Sequence, residues 1–180
     1  MKGVIFTTFL EMVEDKFGYE TVDEIITKSD LPTKGIYTSV GTYSHHEIVK
    51  LVIELSKSSG VPVETLLRVY GKHLFNVLAN AYKGFFENVD NSFDFLQGIE
   101  NYIHVEVKKL YPDAELPHFV INRENKNHLE MLYTSERKMG DLAYGLMEGC
   151  IEYFKETVHI NMTIQSEDHT QVKFVLTKTA

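Results

Sequence analysis

Residues 158–176 read VHINMTIQSEDHTQVKFVL, and this stretch decides the fold class. Val158, Ile160, Met162 and Ile164 alternate with polar residues. Ser166 to Thr170 has turn composition, and Val172, Phe174 and Leu176 alternate again. Successive side chains of a strand point to opposite faces, so period two on both arms predicts a β-hairpin with one buried face. Upstream, Phe119-Val120-Ile121 is short, apolar and partly β-branched, and Leu129, Met131 and Tyr133 also alternate. Between these segments, Gly140 to Thr157 returns to a helical pattern.

The first two thirds of the chain read as helices. Val4, Phe9, Met12, Val13 and Phe17 recur at helical spacing, with Gly18 as a stop. A short helix is expected over Val22 to Lys28, then a loop at Leu31-Pro32 and Gly35. Ser44 with Glu47 forms a capping box that starts a helix running towards Ser58. Pro62 suits the first turn of the next helix, which carries Leu66, Leu67, Tyr70, Leu74, Phe75 and Leu78. Asn91 or Ser92 caps a further helix reaching Leu110, before Pro112. The expected architecture is α+β: a helical N-terminal lobe, then a C-terminal antiparallel sheet with an inserted helix.

Composition narrows the function classes. The chain has 180 residues and a formal net charge of −8. That charge argues against nucleic-acid or anionic-membrane surfaces, which need clustered Lys and Arg. The single cysteine, Cys150, cannot form an intramolecular disulfide and suits a reducing compartment, so a cytoplasmic location is expected. Its place among Met147 and Ile151 predicts a buried structural thiol. No apolar run approaches the roughly 18 residues of a membrane span.

The chain has 8 histidines, without a His-Glu-x-x-His or Cys/His zinc spacing. His45 and His46 sit in a first helical turn, His159 on the outward side of its strand and His169 in the hairpin turn; all four read as solvated surface. His104 differs. Its helix aligns Leu96, Ile99, Ile103, Val107 and Leu110 in an apolar stripe, and His104 stands at the edge of it. A neutral imidazole there can aim a ring nitrogen into an apolar cavity, although a histidine so placed is commonly a hydrogen-bonded boundary residue.

A second feature adds weight. In an extended segment Tyr133, Ser135 and Arg137 project to one side. Arg137 can grip a carboxylate bidentately while the two hydroxyls donate to remaining oxygens. Such a clamp suits a ligand with two neighbouring carboxylates and a large apolar body, and haem is one.

These features together resemble the H-NOX family, the haem nitric oxide/oxygen binding domains that also form the sensor domain of soluble guanylate cyclase. The matching residues are Met1-Lys2-Gly3, His104, Pro117, Tyr133-Thr-Ser135-Glu-Arg137, Lys138-Met139-Gly140-Asp141 and Gly145-Leu146-Met147-Glu148-Gly149. The resemblance implies a single sensor domain over 1–180, with a distal helical lobe (1–60), a proximal lobe with the sheet (61–180) and haem buried between them. It implies ferrous haem b with His104 as proximal iron ligand, and Tyr133, Ser135 and Arg137 on the propionates. Pro117 would press on the porphyrin, and Ile5, Phe9, Leu74, Phe75, Leu78, Leu142 and Leu146 would line the distal side.

Oxygen-binding members of the family carry a distal tyrosine where this chain has Leu142. Bound dioxygen gains superoxide character and is held by a pocket hydrogen-bond donor; nitric oxide needs none. Tyr144 lies about 200° around the helix from Leu142 and should face away. The resemblance with Leu142 therefore implies a nitric oxide sensor, with carbon monoxide as a weaker ligand. Signalling is expected through release of His104, to a separate histidine kinase or a diguanylate cyclase or phosphodiesterase. The alternatives are an oxygen-binding haem sensor, a haem enzyme using His73, and a haem-free binder of apolar carboxylates.

Overall fold

The computed structural model describes residues 1–179. Helix α1 (Gly3–Phe17) ends at Gly18, whose φ of +89° a side chain would resist. The same glycine caps the start of α2 (Tyr19–Lys28), so this helix begins three residues before the expected Val22. Helix α3 (His45–Ser59) starts where expected, with Ser44 Oγ accepting from the His46 amide. The capping box is only half made. Glu47 is buried and turns inward, where its carboxylate accepts from Thr33 and, at 2.9 Å, from Tyr37. Two hydroxyl donors satisfy it better there than one amide would at the helix start. Helix α4 (Val63–Ala81) follows Pro62.

The helix expected over 92–110 is three pieces. Helix α5 (Ser92–Gln97) is capped by Asn91 Oδ1, 3.1 Å from the amides of both Phe93 and Asp94. Gly98 then admits a π turn over Ile99–Ile103, in which the Ile103 and His104 amides reach back five residues to Gly98 and Ile99. Helix α6 (His104–Leu110) completes the segment. Single π turns of this kind are frequent at functional sites.

The second half holds β1 (His118–Asn125), β2 (His128–Thr134), α7 (Gly140–Tyr153), β3 (Val158–Ile164) and β4 (Gln171–Lys178). The strands form one antiparallel sheet in the order β1-β2-β4-β3. The register sets Phe119 opposite Tyr133 opposite Val172, and Leu129 opposite Leu176 opposite Ile160. All six are buried, so the alternation read from the sequence is the buried face of the sheet. Helix α7 stops at Tyr153, short of the expected Thr157, because the chain turns at Lys155 with φ of +56°. The architecture is α+β, with seven α-helices and one four-stranded sheet among the described residues.

Two hydrophobic cores meet along α4. One gathers α1, α2, α3 and the first half of α4 around Phe6, Phe9, Leu51 and Tyr70. The other gathers the sheet, α5, α7 and the second half of α4 around Phe75, Phe93, Met131 and Phe174. Each fully buried residue of this size contributes roughly 1.5–3 kcal/mol. Helices α4 and α7 touch backbone to backbone: a Cβ on Gly71 would lie 2.4 Å from the Leu142 carbonyl oxygen, and one on Gly145 2.1 Å from that of Arg68. No helix among the described residues is long and apolar enough to cross a membrane.

Candidate functional site

A cavity of about 560 Å³ opens between the two cores. That volume falls within the range of small-molecule and cofactor sites. Its lining from α1, α4 and α7 is apolar throughout: Val4 and Ile5; Leu74, Phe75, Leu78 and Ala79; Leu142, Ala143, Leu146 and Met147. The polar lining comes from other segments, namely the chain start, residues 42–45 ahead of and opening α3, Tyr82 just after α4, residues 111–117, the β2 end with the turn after it, and His104.

His104 is the first residue of α6 and lines the cavity with Ile99, Ile103 and Val107. Its side chain is 15% exposed, and its Nδ1 lies 3.2 Å from Glu100 Oε1. Burial lowers its pKa below the ordinary imidazole value, and the Glu100 carboxylate opposes that without reversing it. The ring is thus kept neutral, with Nδ1 turned to a carboxylate and Nε2 left for a metal. Phe119, the second residue of β1, packs near the ring at 6.1 Å between centroids.

Tyr133, Ser135 and Arg137 all line the cavity, but not as one extended segment. Strand β2 ends at Thr134, and residues 135–138 form a turn closed by the Lys138 amide on the Ser135 carbonyl and by the Arg137 amide on Ser135 Oγ at 3.2 Å. Ser135 Oγ stabilises this turn, and the turn rather than strand alternation brings the guanidinium round. Tyr133 is 3% exposed and its hydroxyl accepts from the Met139 amide at 3.2 Å. Burial raises its pKa, so it remains a phenol able to donate. Arg137 donates through Nη1 to the Glu115 carbonyl oxygen at 2.8 Å and through Nη2 to Glu115 Oε2 at 2.9 Å. The Glu115 side chain is 86% exposed, so this pair is worth little, about 0–1 kcal/mol, and a ligand carboxylate can take its place.

Pro117, Ile5, Leu74, Phe75, Leu78, Leu142 and Leu146 line the cavity as well. Phe9 does not: it is fully buried in the N-terminal core, edge-on to Tyr70 at 5.2 Å. It lies one helical turn beyond Ile5 on the same face of α1, where Tyr70 of α4 takes up the contact in place of the cavity. Tyr144 lies outside the lining, its ring 4.2 Å beneath the Arg68 guanidinium. His73 is also outside it. His45, read from sequence as solvated, is half-buried at the rim beside Arg137. Cys150 is buried, and burial pushes its thiol pKa up.

Sequence reasoning missed Glu100, Glu115 and Phe119. Glu100 was within reach, since it stands four residues before His104. Glu115 was not, because its role depends on where the 135–138 turn aims Arg137. A group of possible metal donors away from the cavity, Glu124, His128 and Glu130, lies at the β1–β2 hairpin, where Lys173 Nζ already sits 2.8 Å from Glu130.

The model of a family described as haem-NO-binding matches residues 2–162. Among solved structures, a variant of the unliganded Fe(II) H-NOX protein from K. algicida is 46% identical, with 100% of this chain and 97% of that one covered and a TM-score of 0.96. The H-NOX protein from Shewanella woodyi, bound to IWP-051 in the Fe(II)CO state, is 44% identical over 99% of this chain and 95% of that one, with a TM-score of 0.84. An H-NOX protein from S. oneidensis in the Fe(II)NO state is 25% identical over the full length of both chains, with a TM-score of 0.90. No curated protein sequence matches the chain.

Proposed function

This chain belongs to the haem-NO-binding (H-NOX) family, a family of haem-based gas sensors, and from that premise we propose that it senses nitric oxide at a ferrous haem b held by His104. The observation that carries the reading is that the His104 imidazole, flanked by Ile99, Ile103 and Val107, and a phenol–hydroxyl–guanidinium set line the same largely apolar cavity. The residues present fit haem: an apolar wall for the macrocycle, one nitrogen ligand for iron, and donors for two carboxylates at the rim.

In this reading His104 would hold the iron through Nε2, the ring nitrogen not facing Glu100. Arg137 would give up Glu115 for a propionate, and Tyr133 and Ser135 would donate to the remaining oxygens. Pro117 would press on the ring from the 111–117 segment. The distal lobe would be residues 1–60 together with the first half of α4, which packs in the same core, and the remainder would form the proximal lobe, so the boundary lies within α4 and not at residue 60. When bound, the haem supplies a ferrous iron with one open position for a diatomic gas.

The apolar residues of α1, α4 and α7 offer that position no hydrogen bond. This favours nitric oxide, which needs none, over dioxygen, which does; carbon monoxide is the weaker accepted ligand. If gas binding released His104, α6 would be freed and the two lobes could shift, a two-state element biased by the ligand. The signal passes to a separate partner protein, a histidine kinase or a diguanylate cyclase or phosphodiesterase, and the protein acts as a cytoplasmic sensor rather than as an enzyme. The absorption spectrum tests the reading. A Soret band that shifts to a five-coordinate nitrosyl form, with no stable dioxygen complex in air, is the expected result. A reduced protein that holds dioxygen in air overturns the nitric oxide assignment.

A further inference from the structure

His104 enters the cavity at the junction of the π turn and α6, and Glu100 sits one turn before it in the π segment. The Glu100 carboxylate has three neighbours. Oε1 lies 3.2 Å from His104 Nδ1 and accepts from the Phe119 amide at 2.7 Å. Oε2 lies 3.2 Å from His118 Nδ1. We infer that Glu100 is the positioning residue for His104, fixing which ring nitrogen meets the iron, enriching that nitrogen in electron density, and tying the ligand to the start of β1. The inference rests on the reading of His104 as the haem ligand.

The physical case has two parts. A carboxylate at Nδ1 holds the ring in the Nδ1–H form and makes Nε2 the stronger donor, more so than a backbone carbonyl or water would. The Phe119 amide in turn pins the carboxylate, so its position is set by the sheet and not by a free side chain. Phe119 lies directly opposite Tyr133 in the register. One carboxylate therefore connects the helix that carries the iron ligand with the strand pair that carries Tyr133 and leads into the turn of Ser135 and Arg137. A displacement of His104 pulls on the first residues of β1 through Glu100.

The test is the iron–histidine stretching band in the resonance Raman spectrum of the unliganded ferrous holoprotein, measured for wild type and Glu100→Gln. Gln keeps an oxygen for the Phe119 amide, removes the charge, and puts an NH2 donor in place of the oxygen beside His118. The band is expected to fall in frequency, with haem dissociating about tenfold faster or more. An unchanged band in a natively folded Glu100→Gln protein overturns the inference while leaving the haem reading intact. Absence of the band from wild type overturns the haem reading itself. If Glu100→Gln loses its native circular dichroism, Glu100→Asp serves instead. It keeps the charge but withdraws it by one methylene, and the same fall is expected; an unchanged band again overturns the inference.

Discussion

The two sides of the cavity are made from different kinds of chain. The side built by α1, α4 and α7 consists of regular helices and presents only apolar side chains. Most of the remaining lining is assembled from a π turn, the 111–117 segment, the 135–138 turn and the residues that open α3 and α6, and it holds almost every polar group in the lining. A helix satisfies its own backbone, so it can offer a dry wall with no polar atoms exposed. Turns and helix starts leave backbone groups and odd side-chain directions free, which suits them to aim single donors. On the proposed reading the helical side would decide which gas is tolerated, and the irregular side would decide whether haem is held.

The largest effect expected from disturbing this division follows from His104→Gly. Iron ligation should be lost outright and return when free imidazole is added, with both states read from the Soret position. A Soret band unchanged by the substitution would place the iron ligand elsewhere. On the other side, Leu142→Tyr puts a hydroxyl into the dry wall. A hydrogen bond to a charged acceptor is worth about 1.5–3 kcal/mol, so retention of dioxygen in air should improve tenfold or more, measured by flash photolysis. No gain would mean that the helical wall does not set selectivity.

Arg137→Ala should speed haem loss to a scavenger apoprotein by about tenfold, through removal of one charge-assisted pair. Glu115→Ala should leave that rate unchanged or slow it, because Glu115 competes for the same guanidinium. The smallest effect is expected away from both walls. Glu156 is pushed up by burial but pulled further down by Lys178 and Ser92, so its folded pKa lies below the ordinary 4.5. The stability that it contributes is in place above the unfolded value and is lost as pH falls through the folded one. Urea midpoints of Glu156→Gln should therefore lose part of the wild-type fall below pH about 4.5 without any change in gas binding.

Most of the fold was legible because it depends on local periodicity. The alternation over 158–176 and the stop at Gly18 are backbone requirements that leave a mark on neighbouring residues. The single helix read over 92–110 shows where that logic ends. Its apolar stripe continues across Gly98, so periodicity cannot reveal that the hydrogen bonds lengthen from four residues to five. The capping box at Ser44 was spoiled by a partner far away in sequence, since Tyr37 and Thr33 drew Glu47 inward.

The site divides in the same way. By itself the sequence determined the chemistry available: one histidine at the edge of an apolar stripe, and a tyrosine, serine and arginine within five residues. Only the tertiary structure decided that these face one cavity, that a turn and not a strand aims Arg137, that Phe9 packs away from the cavity, and that Glu100 meets both His104 and the amide of Phe119. Residue types and spacing are properties of the covalent chain. Which groups converge depends on how elements many residues apart pack, and that is settled by the burial of both cores together.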